Sequence, residues 1–429
     1  MRSRVCCGAV SFLLAFAALS YGTDWPTWRG DNARRGISSE TLALPLVKKW
    51  EFKTGGALRG SPIVVQGVVV FGSCDHTVYC LDLATGKERW RFVTGAPVES
   101  TAAAAEGLVC IGSDDGKVYA LNLADGKLVW SFRAPGETHW IGYNDGYFIS
   151  TQAVRGGILI QDGVAYFACG VMTFEGGAVC AVNIKDGKSV WQNTEYLKAL
   201  NSQDVTVGGA PTAVDGKLYL ASGGLLASFE LSTGKFLWSR SMEGNTASIE
   251  VVQGADGLWV HGNGGSWFYW VDFNPELWAN PSPKWADDKK RVRCTGGLST
   301  TVPPIDTGTR LYVYQMKKNC ILALNRETFF KDWSGLEYKD ERPKKATLWQ
   351  SEPLGKGVES PVRGSPVLAG ELLFVGGGNG RFVALGTADG KELWGEQLDG
   401  VITTSPAVSQ ERVLVGTDAG TLYCFAGAR

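Results

Sequence analysis

The side chains of this 429-residue chain that could carry chemistry are few and dispersed. Its three histidines, His76, His139 and His261, stand far apart, and none has a neighbour at metal-ligand spacing. Ten cysteines comprise one adjacent pair, Cys6-Cys7, and eight scattered residues at 74, 80, 110, 169, 180, 294, 320 and 424. There is no Cys-x-x-Cys-His for covalent haem, no Gly-x-Ser-x-Gly elbow and no phosphate-binding glycine loop. Asp114-Asp115 could suit Ca²⁺, but next to Gly116 it reads as a hairpin turn. His76, in the matching turn of another repeat, is expected to face solvent. The expectation is a protein without catalytic, cofactor-binding or metal-ligating residues.

Another set of polar residues recurs in a regular place, just before short segments marked by Ser-Pro or a relative of it. These marks are Ser61-Pro62, Ala210-Pro211, Val302-Pro303, Ser365-Pro366 and Ser405-Pro406. Proline has no N–H for a sheet ladder, so it belongs on an edge strand or at a strand start. Ahead of such strands stand Arg59, Glu99, Gln152, Arg155 and Asp204, followed by Glu250, Thr300, Arg363 and Thr404. If the segments converge on an axis, these side chains form a polar ring at a channel mouth. Such a ring suits a polar ligand or a peptide strand, although water and mutual ion pairing account for it equally well.

Positioning a ring requires a repeat, and five segments ending in Trp supply one: Val78 to Trp90, Val118 to Trp130, Val179 to Trp191, Ala227 to Trp238 and Phe382 to Trp394. In each, a β-branched or aromatic run passes through a turn at Gly86, Gly126, Gly187, Gly234 or Gly390, where glycine supplies the positive φ. The Trp lies eight residues after Asp82, Asn122, Asn183 and Glu230. The third strand carries a small residue at one position in every repeat, from Cys80 and Ala120 to Ala384 and Cys424, and only Trp270 breaks the rule. Small residues there let neighbouring sheets approach closely.

Outer strands are therefore expected at Trp90, Trp130, Trp191 and Trp238, near Trp278, near Trp333 or Trp349, and at Trp394. After Ser405-Pro406 only three strands remain, ending at Leu422 to Phe425, and the missing fourth is Lys48 to Phe52. The predicted fold is all-β: an eight-bladed β-propeller of four-stranded antiparallel blades over residues 47–429, closed by pairing of the N- and C-terminal strands. Residues 23–46 form an N-terminal extension. Cys80 and Cys424 fall on adjacent sheets about 10 Å apart, beyond disulfide reach, and most cysteines read as buried thiols, although Cys169 and Cys180 could lie on neighbouring strands.

Two insertions interrupt the period. Trp130 to Trp191 spans 61 residues against 40 for Trp90 to Trp130, and the extra stretch holds Glu137, His139, Trp140, Tyr143, Asn144 and Tyr147. Amphipathic aromatics mixed with polar groups mark binding surfaces, and a loop packed on itself over the channel is the alternative. The second insertion, between Phe329 and Thr347, is rich in Lys, Asp and Glu and reads as a solvated excursion.

Arg2 and Arg4, an apolar run from Val10 to Leu19 and small Ser20 and Gly22 read as a signal peptide over residues 1–22. The alternative is a retained N-terminal anchor. Cys6 and Cys7 precede the apolar run, so no lipid anchor is read. The expected location is periplasmic or extracellular. Without Arg2 and Arg4 the formal charge moves from −1 to −3, which does not favour nucleic acid. A monomer without a transmembrane segment in its mature part is expected.

The repeats from Trp50 to Phe425 resemble the blades of the PQQ-like family, which includes quinoprotein alcohol dehydrogenases and the outer-membrane assembly protein BamB. Asp24-Trp25-Pro26-Thr27-Trp28-Arg29-Gly30 is similar to the head of many exported bacterial members. In the dehydrogenases the resemblance implies a quinone held between a Trp and a disulfide of adjacent cysteines, with Ca²⁺ on Glu, Asn and Asp. The only adjacent cysteines here lie in the leader, so that cradle does not carry over. The resemblance thus implies a non-catalytic, BamB-like scaffold without PQQ or Ca²⁺, contacting a protein partner through one face and the loop after Trp130. The alternatives are a diverged PQQ- and calcium-dependent dehydrogenase and a carbohydrate-binding or sensor propeller.

Overall fold

The computed structural model describes residues 23–135, 141–144, 146–170, 177–194, 209–222, 225–241, 249–262, 268–272, 292–294, 298, 300–331, 342–354 and 362–428. Their β-branched and aromatic runs form eight blades of four antiparallel strands, and in the seventh blade Ile37–Ser38 adds a fifth, parallel strand at the inner edge. Blade one shows the pattern: a three-residue inner strand Ile63–Val65, then Val68–Ser73, Thr77–Asp82 and the outer strand Glu88–Val93. Blade eight takes its inner three strands from Ala407–Ser409, Arg412–Gly416 and Thr421–Gly427, and its outer strand is Leu46–Lys53 from the other end of the chain. Trp50 stands opposite Cys424 in that pairing, the register expected from the repeat. Buried apolar clusters join blades one to two, two to three and three to four. Blade four packs on blade five, and further clusters join five to six, six to seven, and seven through eight to one.

The repeated Trp has a definite mechanical task. Trp90 lies opposite Cys80, and the third and fourth strands slip register immediately afterwards. Trp130 and Ala120, Trp191 and Ala181, and Trp394 and Ala384 repeat this arrangement. The small partner leaves room for the indole to lean over the next blade. There Trp90 Nε1 donates to Leu123 O at 2.9 Å, Trp130 to Ile184 O at 2.6 Å, and Trp50 to Leu83 O at 2.9 Å. The turn glycine of the receiving blade lies under the ring: Gly126, at φ +70°, would drive a Cβ into Trp90. Glycine is thus required there by both backbone angle and contact.

Blade five departs from this scheme. Its outer strand is Val292–Cys294, with Arg293 opposite Trp270, so the large residue has moved to the third strand. Trp278, expected on that strand, lies outside the described residues, as does Trp333. Trp349 is the outer-strand residue of blade six, opposite Ala323. The insertion before Trp349 is not a solvated excursion where it is described. The short helix Arg326–Phe330 leads into it and Arg342–Ala346 ends it, and Phe329 and Ala346 are buried in a cluster with Trp259 of blade five. Arg326 pairs with Asp306 at 3.1 Å and with Asp256, which ties the insertion to blade five. Apolar residues at both ends of a charged stretch made this packing possible.

The N-terminal extension enters the propeller axis and touches all eight blades. Trp25 bridges Val64 of blade one, with N–H···O distances of 2.7 and 3.0 Å, and Pro26 O accepts from Ala104 N of blade two at 2.9 Å. Asn32 donates to Ile160 O of blade three at 2.7 Å and accepts from Ala213 N of blade four at 3.4 Å. Ala33 O takes Gln253 N of blade five, Arg29 donates to Pro304 O at the start of blade six, and Gly36 O takes Leu368 N of blade seven. Ser409 of blade eight donates to Thr23 O. The reason is the open edge of each inner strand, whose unpaired backbone groups need partners. Arg29 and Arg34 adopt left-handed backbone angles, φ 57° and 61°, and both side chains are fully buried. No helix among the described residues is long and apolar enough to cross a membrane.

Candidate functional site

The extension fills the axis from the side of the turns between first and second strands, where Asp24 caps Gln66 N and Glu40 caps Gln410 N and Glu411 N. On the opposite side, connectors between blades leave a polar cup of about 210 Å³, to which seven blades contribute. Its floor includes Trp28, whose Nε1 donates to Ser405 Oγ at 3.1 Å.

The Ser-Pro marks explain the wall. Ser365 N donates to Ser405 Oγ at 3.0 Å, Ser405 N to Ser61 Oγ at 2.9 Å, and Ser61 N to Thr101 Oγ1 at 2.9 Å. A belt of hydroxyls thus runs from blade seven through eight and one to two, each satisfying the amide just before its neighbour's proline. Gly60 and Gly364 precede these serines because a Cβ at either would overlap the backbone of the adjoining blade, the carbonyls of Ser100 and Thr404. Arg59 and Arg363 therefore project from equivalent, closely packed positions.

Arg59, Glu99, Arg155, Glu250 and Arg363 all line the cup, as the sequence pattern predicts. Glu99 pairs with Arg59 at 3.1 Å and with Arg155 at 3.7 Å. Arg155 also forks onto Asp114, with Nη2 2.7 Å from Oδ2. Asp114 is therefore more than a turn residue: its carboxylate is fully buried and anchors Arg155. Burial pushes the Asp114 carboxyl upward and Arg155 opposes that. Burial also pushes Glu250 up to about 7, opposed by the neighbouring Arg29. Arg363 is exposed and has no partner among the described residues.

Three other expected ring members face elsewhere. Gln152 is buried, 3.9 Å from the Cys169 thiol. Thr300 donates to Val302 O at 2.7 Å, closing its own turn. Thr404 is buried and accepts from Gly416 N at 2.7 Å. The cup residue of blade eight is Thr403, two positions before Ser405 as Arg59 is before Ser61, so strict register would have found it. Trp28 carried no local signal, because its place depends on the whole extension entering the axis. Asp204, His139 and Trp140 lie outside the described residues. Tyr143 and Asn144 belong to a two-stranded hairpin, Ile141–Asn144 against Tyr147–Ser150, so this part of the insertion is regular structure. The Tyr147 ring lies 6.0 Å from His76, and Phe148 is 71% exposed. His76 is only half-exposed beneath it, not an open turn residue.

A dehydrogenase-type cradle does not fit these residues. Glu99 is engaged by two guanidinium groups, so Ca²⁺ would have to displace arginines from it. No cysteine is among the described residues lining the cup, and Cys74, Cys80, Cys110, Cys169, Cys180, Cys320 and Cys424 are buried free thiols. Cys169 and Cys180 do lie on paired strands, with both thiols free.

Eight sheets around an axis, six of them latched to the next by an outer-strand Trp, define a β-propeller built from PQQ-like repeats. A family model described as outer membrane protein assembly factor BamB matches residues 26–144, 112–328 and 340–428, and the chain belongs to that family. Solved structures similar to it include a europium-containing methanol dehydrogenase, 18% identical, covering 94% of this chain and 98% of the other at a TM-score of 0.67. BamB from Moraxella catarrhalis is 14% identical, with 90% and 98% covered and a TM-score of 0.57. Quinohemoprotein alcohol dehydrogenase from Comamonas testosteroni is 15% identical, with 95% and 81% covered and a TM-score of 0.66. No curated protein matches the chain in sequence. At these identities the structural likenesses establish the fold.

Proposed function

We propose that this protein is an exported, non-catalytic scaffold that binds a protein partner with the propeller face on which the cup opens. The observation that carries this reading is the difference between the two ends of the axis. One end is stoppered by residues 23–43, which are hydrogen-bonded into all eight blades. The other end presents the cup, the hairpin bearing exposed Phe148, and the longest connectors between blades. Long connectors on a rigid ring supply adaptable contact surface, and an exposed aromatic supplies an anchor. Membership of the BamB family supports a scaffold, and the mismatch between the cup and a calcium-quinone cradle supports a non-catalytic one. The apolar run behind Arg2 and Arg4 supports export.

The test is photocrosslinking in the native cell from a probe at position 148, with position 125 on the opposite face as control. A specific protein adduct from 148 alone supports the reading, and equal or absent crosslinking at both positions contradicts it. Dye-linked alcohol oxidation by protein supplied with PQQ and Ca²⁺ would overturn the non-catalytic assignment.

A further inference from the structure

The geometry points to the axial cup as a binding site for a small carboxylate anion, held by the guanidinium groups of Arg59, Arg155 and Arg363. The inference is independent of the protein partner proposed above. Four guanidinium groups, Arg29, Arg59, Arg155 and Arg363, stand at or directly behind the cup wall, against the carboxyls of Glu99, Asp114 and Glu250. The excess is one positive charge with every carboxyl ionised, and it rises to two when Glu250, pushed up to about 7 by burial, takes a proton.

The placement of the pairs locates this excess. Asp114 is spent on Arg155 from beneath, in a fork whose two shortest contacts are 2.7 and 3.1 Å. Glu99 lies between Arg59 and Arg155 and holds both in position. Arg363 enters from the blade-seven side of the ring, outside these pairs, and has no partner among the described residues. A second observation comes from behind the floor. Arg29, fully buried and stacked 5.9 Å from the Trp28 ring, keeps one guanidinium nitrogen, Nη1, without a hydrogen-bond partner. The cup therefore sits in a positive field on a scaffold that cannot relax, because Gly60 and Gly364 are wedged against neighbouring backbone. Planar guanidinium forks match a carboxylate bidentately, and a rigid, partly dry site strengthens such pairs.

Size narrows the class. A volume of about 210 Å³ lies below the roughly 300–1,000 Å³ of sites for drug-sized ligands. It admits a compact di- or tricarboxylate, or a sugar acid whose hydroxyls meet Ser61 and Ser405.

Isothermal calorimetry on the intact protein, with succinate, citrate and glucuronate as probes and glucose and inorganic phosphate as comparators, tests the inference. At least one carboxylate is expected to bind with one-to-one stoichiometry, and glucose is not. Arg363→Ala should weaken that binding tenfold or more, while Arg363→Lys should lose less. Arg363 is exposed and unpaired among the described residues, so its variants should keep the wild-type melting temperature. Arg59→Ala provides a second reading from the blade-one side of the cup. Absence of carboxylate binding, binding indifferent to Arg363→Ala, or glucose binding of equal strength would each refute the site. Preference for phosphate over every carboxylate overturns the ligand class.

Discussion

The buried Arg34 offers the sharpest test of the idea that the N-terminal segment holds the ring together. Its guanidinium donates to Trp28 O at 3.2 Å, Ile158 O at 3.0 Å, Pro211 O at 3.2 Å and the Thr27 hydroxyl, so one side chain joins the extension to blades three and four. Replacing it with Met keeps the apolar stem and removes every donor. Two buried carbonyls, Trp28 O and Pro211 O, then lose their partner, while Ile158 O keeps the Thr27 hydroxyl at 3.1 Å; at about 1–3 kcal/mol each this is about 4 kcal/mol together. Burial holds Arg34 down to about 10 from 12.5, so removing the charge returns about 3 kcal/mol that the fold spends keeping it ionised. The net expected loss is about 1 kcal/mol. Arg35, one residue on, is 58% exposed and pairs only with Asp31, so Arg35→Met should cost under about 1 kcal/mol. Urea unfolding at pH 7, followed by tryptophan fluorescence, measures both. A clear fall in midpoint for Arg34→Met beside an unmoved Arg35→Met is expected. Equal midpoints for Arg34→Met and wild type would show that the segment lies on the ring without bracing it. Arg34→Lys should fall between, since an ammonium cannot span the same acceptors.

Further expectations concern other parts of the molecule. Gly126→Ala should destabilise by about 2 kcal/mol or more, because the new Cβ meets the Trp90 ring at a positive φ, and its melting temperature will show this. Ser405→Ala leaves the buried Ser365 N–H and Trp28 Nε1–H without acceptors, so a loss of about 2–4 kcal/mol is expected in denaturant titration. Glu250 has a folded pKa raised to about 7 from an ordinary 4.5, so the folded state holds its proton more tightly than the unfolded chain. Its contribution is full below about pH 4.5 and is lost as pH rises through about 7, a swing of about 3 kcal/mol. Glu250→Gln should flatten stability across that window, seen by comparing melting at pH 5 and pH 8. Burial pushes the thiols of Cys74, Cys80, Cys110 and Cys424 up to about 12, so a thiol reagent with peptide mapping should label them only after denaturation.

The repeat was legible because its cause is local and recurs. The eight-residue step from Asp82 to Trp90, the turn glycines and the small residue on the third strand each answer to strand geometry or to one cross-strand contact. Blade closure was legible too, since a strand set short by one at the C-terminus matched a lone strand near Trp50. The polar ring was legible only in part: Arg59, Glu99, Arg155, Glu250 and Arg363 followed from position, whereas Gln152, Thr300 and Thr404 turned into their own blades. At those places a local hydrogen bond decided the direction, and strand spacing does not encode it.

Residue order by itself determined the strands, the turns and the pairing of the two chain ends, because period-two alternation and glycine angles act over a few residues. Only the tertiary structure decided that Trp28, Arg29 and Arg34 lie inside the axis, that Asp114 supports Arg155, and that the charged insertion before Trp349 packs on blade five. Each of these depends on groups brought together from distant blades. Open inner edges and buried guanidinium groups find their partners only once the ring has formed around them.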